Sequence, residues 1–168
     1  MIFKPFDLTK TYIAPKRGTK NAAGYDIFSS EDIIIPSLFN CPIRPDASNV
    51  YMDLNSVTKV KEPWQATLVS TNVSYEIDSD KFIGVYSRSS VSSKGLLLLA
   101  NGVGVADADY SGEIKVPLLN LSPYDIVIHK GDKIAQIIIQ SYGTVENEEK
   151  TQVVREGGNE GGFGSTGN

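Results

Sequence analysis

The sequence predicts an all-β fold, and three observations point to this class. Short runs of alternating or continuous apolar residues recur along the 168-residue chain, separated by turns rich in Gly, Pro, Asp and Ser. Only residues 91–99 have a pattern that suits a helix. A hydrophobic share of 40% is enough for one sizeable core. We therefore expect a single β domain over residues 1–154, followed by a short tail.

The first half of the chain combines one clear strand signal with a long irregular stretch. At Gly24-Tyr25-Asp26 a run of small residues gives way to apolar ones, which predicts a strand that enters after a close backbone approach. The ordinary role of an Asp at this place is to cap the turn. Residues 36–62 contain prolines and little periodicity, which predicts a surface insertion with at most one short strand at Val50–Leu54.

The second half of the chain predicts two hairpins and a further pair of strands. Residues 66–77 and 81–90 have strand-like apolar patterns and are joined by a polar Asp-Ser-Asp turn, as in a hairpin. Residues 101–120 predict a second hairpin, because a glycine-rich opening turns at Ser111-Gly112 and is followed by alternating apolar residues. Two more strands are expected within residues 125–140, around a Lys-Gly-Asp turn.

The charge and the scarce residue types argue against several classes of protein. The single cysteine, Cys41, and the single histidine, His129, are too few for an intrachain disulfide or a zinc site. Any general base is therefore expected to be a carboxylate, and His129 a surface strand residue. The net charge of −4 argues against a broad nucleic-acid interface, and the apolar run at 96–100 is too short for a membrane span. We expect a soluble, intracellular protein, cytoplasmic or nuclear, of cellular, viral or phage origin.

Two stretches carry residues suited to nucleotide chemistry. Residues 101–112 contain an Asn, two carboxylates, a Tyr and several glycines, and an extended chain would place Asp107 and Asp109 on the same side. Arg88 is followed by four serines and Lys94, which together offer a guanidinium fork, hydroxyl groups and a point charge to a polyphosphate. The ordinary alternative for each stretch is a solvated turn with surface charges.

Two features near the end of the chain have open alternatives. Gln136 lies in an otherwise apolar run, so its amide needs hydrogen-bond partners from the backbone or from a ligand. Residues 155–168 are rich in glycine and predict a mobile tail. Such a tail is either a disordered terminus or a segment whose N–H groups surround phosphate oxygens while Phe163 stacks on a base.

Five ordered motifs make the chain resemble the trimeric-type dUTP diphosphatase (dUTPase) family. They are AAGYDIFS (22–29), SRSSVSSKG (87–95), NGVGVADADYSG (101–112), GDKIAQIII (131–139) and GGFGSTG (161–167). A single glycine-rich match carries little weight, but five matches in the family's order are specific.

The resemblance implies a jelly-roll-like β fold (β-clip) and a homotrimer whose three active sites lie at subunit contacts. It also implies Mg²⁺-dependent cleavage of dUTP to dUMP and pyrophosphate, which limits uracil in DNA and supplies dUMP for dTMP synthesis. The Mg²⁺ is expected to be held by phosphate oxygens and water, with no direct protein ligand. The glycine-rich tail of one subunit is expected to close the active site of another.

The same resemblance implies roles for individual residues. Asp107 would hold and activate the attacking water, and Asp26 would support the phosphate site from behind. The residues expected at the phosphates are Arg88, Ser89, Ser90, Gln136, Arg155, Gly162, Ser165 and Thr166. The residues expected at uracil and deoxyribose are Asn101, Gly104, Tyr110 and Phe163.

The chain departs from the family pattern at two places, and two other functions stay open. Ser87-Arg88-Ser89-Ser90 stands where the family usually has Pro-Arg-Ser-Gly, and Gly158 stands where it usually has an arginine, with Arg155 nearby. The related dCTP deaminases share the fold, but Pro117 occupies the position of their catalytic Glu, and proline cannot exchange protons. The other alternative is a non-catalytic trimer with the insertion as its partner surface.

Overall fold

Short strands make up most of the regular structure, as the sequence predicts. The computed structural model describes residues 1–40 and 66–145, and in these ranges it has twelve strands, one α-helix and one turn of 3₁₀ helix. The strands are β1 Ile2–Pro5, β2 Lys16–Arg17, β3 Tyr25–Phe28, β4 Ile33–Ile35, β5 Thr67–Val69, β6 Val73–Glu76, β7 Lys81–Tyr86, β8 Leu97–Leu99, β9 Gly104–Ala106, β10 Val116–Asn120, β11 Ile126–Ile128 and β12 Lys133–Ser141; α1 is Ser89–Gly95 and the 3₁₀ turn is Leu38–Asn40.

The strands form four antiparallel sheets that share one core. The largest sheet has the order β2-β3-β12-β7-β9, and the smaller ones are β5-β10-β8, β1-β6 and β11-β4. The register of β12 shifts between Lys133 and Ala135, and both Ile134 and Ala135 are buried there. Members of the core such as Ile83, Ile137 and Val116 are fully buried, so one core joins the five-stranded and three-stranded sheets.

The hairpin predicted from residues 66–77 and 81–90 is wrong. The first stretch is divided into β5 and β6, because the chain bends at Asn72, which has a φ of 54°. Strand β6 then pairs with β1, whereas β7 pairs with β12 and β9. The apolar pattern located the strands correctly, but it carries no information about which strand becomes the neighbour.

The hairpin predicted for residues 101–120 is also wrong. Strand β9 pairs with β7, whereas β10 pairs with β5 and β8. The chain between them crosses from one sheet to the other, and the N–H of Ile114 donates to the carbonyl of Val73 on the way. Ile114 is therefore buried, as its place in the alternating pattern predicts, although it lies outside β10.

The helix predicted within residues 91–99 is shifted in the structure. It spans Ser89–Gly95 and ends where Leu96 adopts a left-handed conformation with a φ of 51°. Leu97 and Leu99 bury their side chains as part of strand β8, so the leucines face the core from a strand rather than from a helix. The two strands predicted around the Lys-Gly-Asp turn are confirmed as β11 and β12.

Some expectations concern residues outside the described ranges. Of the insertion expected at 36–62, only residues 36–40 are described, with a bridge from Ser37 to Asn120 and the 3₁₀ turn. Cys41, the strand expected at Val50–Leu54 and the tail at 155–168 lie outside the described residues. Within the described ranges, no helix has the length and apolar character needed to cross a membrane. His129 is exposed, as expected, just after β11.

Candidate active site

Asp107 lies in a β-turn that follows strand β9. The N–H of Tyr110 donates to the carbonyl of Asp107 over 3.1 Å, which closes the turn over residues 107–110. The side chains of Asp107 and Asp109 are both exposed. The prediction of an extended chain with both carboxylates on one side is wrong, because this turn replaces the strand. An exposed carboxylate on a closed turn can accept a proton from water without a histidine.

Two tyrosine hydroxyls fasten this segment. The hydroxyl of Tyr75, in β6, donates to the carbonyl of Asp107 over 2.5 Å, and the hydroxyl of Tyr110 donates to the carbonyl of Glu113 over 2.9 Å. Burial raises the pKa of the Tyr75 hydroxyl, and the nearby charges of Asp107, Tyr110 and Asp109 raise it further. Burial, followed by the charge of Glu113, likewise raises the pKa of Tyr110. Both hydroxyls therefore stay protonated and keep donating at neutral pH.

Asn101 and Gly104 lie at the start of the same segment. Gly102 has a φ of 68°, and the chain turns so that Asn101 is exposed ahead of β9. A Cβ added to Gly104 would lie 3.1 Å from Cβ of Val85 and 3.2 Å from Nδ2 of Asn101. Glycine at this position therefore leaves room for the Asn101 amide beside β7.

Asp26 pairs with two cations, one of which the sequence analysis did not single out. Its Oδ1 accepts from Nε of Arg88 at 2.7 Å, and its Oδ2 accepts from Nζ of Lys133 at 2.9 Å. Nη1 of Arg88 also donates to Oγ of Ser90 over 3.2 Å. Burial alone would raise the pKa of Asp26, but the hydrogen bonds from Lys133 and Arg88, together with their charges, outweigh it and lower the pKa below its ordinary value.

The lowered pKa of Asp26 predicts how stability depends on pH. Because the pKa is lower in the folded state, the ion pairs contribute fully above the unfolded-state value of about 4 and are lost as the pH falls through the folded-state value. We expect Asp26→Asn to flatten the loss of stability with acid below about pH 4. Urea midpoints measured at stepped pH for both proteins test this, and parallel pH profiles would contradict it.

Gln136 is located between Gly24 and the end of β7. Its Nε2 donates to the carbonyl of Ser87 over 2.9 Å. A Cβ at Gly24 would collide with Oε1 of Gln136, which confirms the close backbone approach predicted at Gly24. The register of β12 sets Gln136 opposite both Asp26 and Tyr86. One partner of the amide is therefore backbone, and the side chain lies beside the Asp26–Arg88 pair in the sheet.

The described chain brings some of the predicted residues together and separates others. Asp26, Arg88 and Gln136 gather where β7 ends, with Ser89 and Ser90 exposed in the first turn of α1. Strand β9 runs antiparallel to β7, with Ala106 opposite Ile83, so Asp107 lies beside the beginning of β7. At about 3.3 Å per residue, roughly 15 Å or more of strand separates Asp107 from Arg88.

Five predicted site residues lie outside the described ranges, and no structural account of them follows. They are Arg155, Gly162, Phe163, Ser165 and Thr166. The described residues contain no group of three or more His, Cys, Asp or Glu side chains that could hold a metal ion. The expectation that Mg²⁺ has no direct protein ligand stays a prediction.

Lys133, Tyr75 and Glu113 are the site residues that sequence reasoning missed. For Lys133 the available signal was a cation at the start of an apolar strand, inside the fourth motif. For Tyr75 it was a tyrosine in a strand of mostly buried residues, because a buried hydroxyl normally has a partner. Glu113 offered no signal, since a glutamate after Ser-Gly is ordinarily a surface residue.

The fold and the site together define a class: a small antiparallel β protein with a cation cluster at one end of β7 and an exposed carboxylate turn at the other. The dUTPase family model matches residues 40–167. The deoxyuridine 5'-triphosphate nucleotidohydrolase of Saccharomyces cerevisiae is 33% identical over 92% of this chain and 86% of its own length. That of Paramecium bursaria Chlorella virus 1 is 32% identical over 95% of this chain and 94% of its own. The chain belongs to the dUTPase family, as the five motifs predict.

A solved structure confirms the fold. The dUTPase of Streptococcus mutans superposes with a TM-score of 0.66 at 24% identity, over 86% of this chain and 98% of its own. The prediction of a jelly-roll-like β-clip fold is therefore confirmed.

Proposed function

We propose that this chain hydrolyses dUTP to dUMP and pyrophosphate. The observation that carries the proposal is its similarity, over nearly the whole chain, to proteins named deoxyuridine 5'-triphosphate nucleotidohydrolases. The exposed Asp107 and the Arg88 cluster provide the types of group that such a reaction needs. The reaction limits uracil in DNA and supplies dUMP for dTMP synthesis.

Asp107 is the proposed general base. Its carboxylate takes a proton from a water molecule whose oxygen attacks the α-phosphorus. The bond between the α-phosphorus and the bridging oxygen breaks, and pyrophosphate leaves with the electron pair. The exposure of Asp107 and the closure of its turn by the Tyr110 N–H support this role, because the carboxylate is reachable while its backbone is held.

The Arg88 cluster is the proposed phosphate site. Asp26 holds Nε of Arg88, which orients the guanidinium, and it also holds the ammonium group of Lys133. Ser89 and Ser90 present exposed side chains beside this cation, and Gln136 adds an amide. Arg155, Gly162, Ser165 and Thr166 are proposed to complete the site from the tail.

Asn101, Gly104, Tyr110 and Phe163 are proposed to select uracil and deoxyribose. An amide alone adapts to uracil or cytosine, so the backbone of residues 101–106 is needed for discrimination. The hydroxyl of Tyr110 already donates to Glu113. Its ring is therefore proposed to exclude a ribose 2′-hydroxyl by contact, not by a hydrogen bond.

A homotrimer with shared active sites is proposed as the working assembly. One chain holds Asp107 and Arg88 at opposite ends of β7, so a site that uses both needs a second copy. An apolar surface also favours self-association, because Leu68 and Leu98 are exposed on the same face of the β5-β10-β8 sheet. The tail is proposed to close a site on a neighbouring subunit.

Mg²⁺ is the proposed cofactor. A structure of the dUTPase from phage phi11 of S. aureus, with a TM-score of 0.64 and 22% identity over 92% of this chain and 98% of its own, is described as showing a structural Mg(II) ion. When bound, the ion neutralises phosphate charge. Mg²⁺ usually keeps several waters and binds through substrate phosphates, which fits a site built on cations and hydroxyl groups.

The test is to incubate the purified protein with Mg²⁺ and each dNTP or UTP and to identify products by chromatography. The proposal predicts dUMP and pyrophosphate from dUTP, with little turnover of the other nucleotides. Formation of dUTP from dCTP would support a deaminase instead, although Pro117 lies inside β10 and carries no group for proton transfer. Absence of turnover with every nucleotide would favour a non-catalytic interaction module.

A further inference from the structure

Tyr75 places a single buried hydroxyl against the turn that carries Asp107. Its side chain is only 5% exposed and belongs to the core, so its ring has a fixed place in β6. The hydroxyl leaves the core at one point, where it donates to the carbonyl of Asp107 over 2.5 Å. The bond connects residues 32 positions apart, so it ties the turn to a different sheet.

The carbonyl of Asp107 has two donors, and they do different things. The N–H of Tyr110 closes the turn internally, whereas the hydroxyl of Tyr75 fixes the turn relative to the core. A pocket of about 270 Å³ lies beside the turn, with Tyr75, Asp109 and Tyr110 among its lining residues. Side-chain packing is therefore incomplete on this side of the turn, which increases the importance of the Tyr75 bond.

The far end of the turn is fastened to the same part of the fold. The hydroxyl of Tyr110 donates to the carbonyl of Glu113, and the carboxylate of Glu113 accepts from the N–H groups of Thr71 and Asn72 at 2.9 and 2.6 Å. Those two residues immediately precede β6, which carries Tyr75. Residues 107–113 are thus held at both ends by β6 and the loop that leads into it.

We propose that Tyr75 is a positioning residue for the catalytic turn: its hydroxyl fixes the peptide of Asp107 and thereby the direction of the Asp107 carboxylate. The proposal rests on the proposed function of Asp107 as the base. Misplacement of a reacting group by about 1 Å can cost up to about a hundredfold in rate, so loss of one anchoring bond is expected to act on the chemical step more than on binding.

The test compares Tyr75→Phe with wild type and with Tyr142→Phe. Both variants remove one hydroxyl that donates to a backbone carbonyl, but the Tyr142 bond to Ser79 is exposed and remote from the turn. We expect Tyr75→Phe to lower kcat roughly tenfold, with KM and the Kd for a non-hydrolysable dUTP analogue changed less than about threefold. Tyr142→Phe should leave both constants unchanged.

Two further measurements separate positioning from a general loss of structure. Amide hydrogen exchange at Tyr110 should accelerate in Tyr75→Phe, while exchange at the core residue Ile137 stays as in wild type. In an Asp107→Asn background, Tyr75→Phe should change the residual rate by less than about twofold, because the group that it positions is absent.

Three outcomes would overturn the proposal. An unchanged kcat in Tyr75→Phe, together with an inactive Asp107→Asn, would remove the positioning role and leave the base assignment intact. Equal losses in kcat and in the fraction of folded protein would reduce Tyr75 to a structural residue. Near-normal turnover in Asp107→Asn would remove the base assignment, and the role of Tyr75 with it.

Discussion

Replacing Asp107 by Asn is expected to lower dUTP turnover by about two orders of magnitude or more while dUTP still binds. The amide has nearly the shape of the carboxylate but cannot accept a proton from the attacking water. The side chain is exposed, so the substitution should leave the core and the stability of the fold intact. Steady-state release of pyrophosphate gives kcat, and calorimetric titration with a non-hydrolysable dUTP analogue gives the affinity.

Asp109→Asn is the matched control. Asp109 lies in the same turn, is also exposed, and its replacement changes the net charge by the same amount. We expect its kcat to stay within a few-fold of wild type. The reverse result, with near-normal turnover in Asp107→Asn and a large loss in Asp109→Asn, would move the base to Asp109.

The same variant tests whether active sites are shared between subunits. Asp107→Asn with an intact tail and a chain that lacks residues 155–168 are each expected to form nearly inactive homotrimers. When both are unfolded together and refolded as mixed trimers, some sites would combine an intact Asp107 with an intact tail, and activity should return. Lack of rescue in trimers whose mixed composition is confirmed by mass would contradict the shared site and leave the hydrolase assignment intact.

Glu113→Ala is expected to destabilise the fold by about 3 kcal/mol or more. The carboxylate is only 8% exposed and accepts from the Ser70 hydroxyl and from the N–H groups of Thr71 and Asn72. Alanine would leave two buried N–H groups without an acceptor, next to a residue with a φ of 54°. Urea unfolding followed by circular dichroism measures the loss.

Two other glutamate variants serve as controls for this prediction. Glu113→Gln keeps an amide oxygen that can accept from the same N–H groups, so it should lose less than half as much stability as Glu113→Ala. Glu76→Ala removes an exposed partner of Lys4 and should cost less than about 1 kcal/mol. If Glu113→Ala unfolds at the same urea concentration as Glu76→Ala, the carboxylate does not support the loop.

The sequence by itself determined the class of fold and most of the candidate site residues, because both depend on local pattern. Strand β12 and the paired strands β10 and β11 are visible as apolar runs, since burial of one or both faces follows from the spacing of side chains. Asp107, Arg88 and Gln136 were identified by motif order, which also survives without coordinates.

Only the tertiary structure decided which strands are neighbours and where the site residues lie relative to one another. The periodicity of β6 shows which side is buried but not that its partner is β1 rather than β7, so both predicted hairpins were wrong. The pairing of Lys133 with Asp26 and the bond from Tyr75 to Asp107 join residues 107 and 32 positions apart. Such contacts follow from the packing of whole sheets, and no local pattern in the chain encodes them.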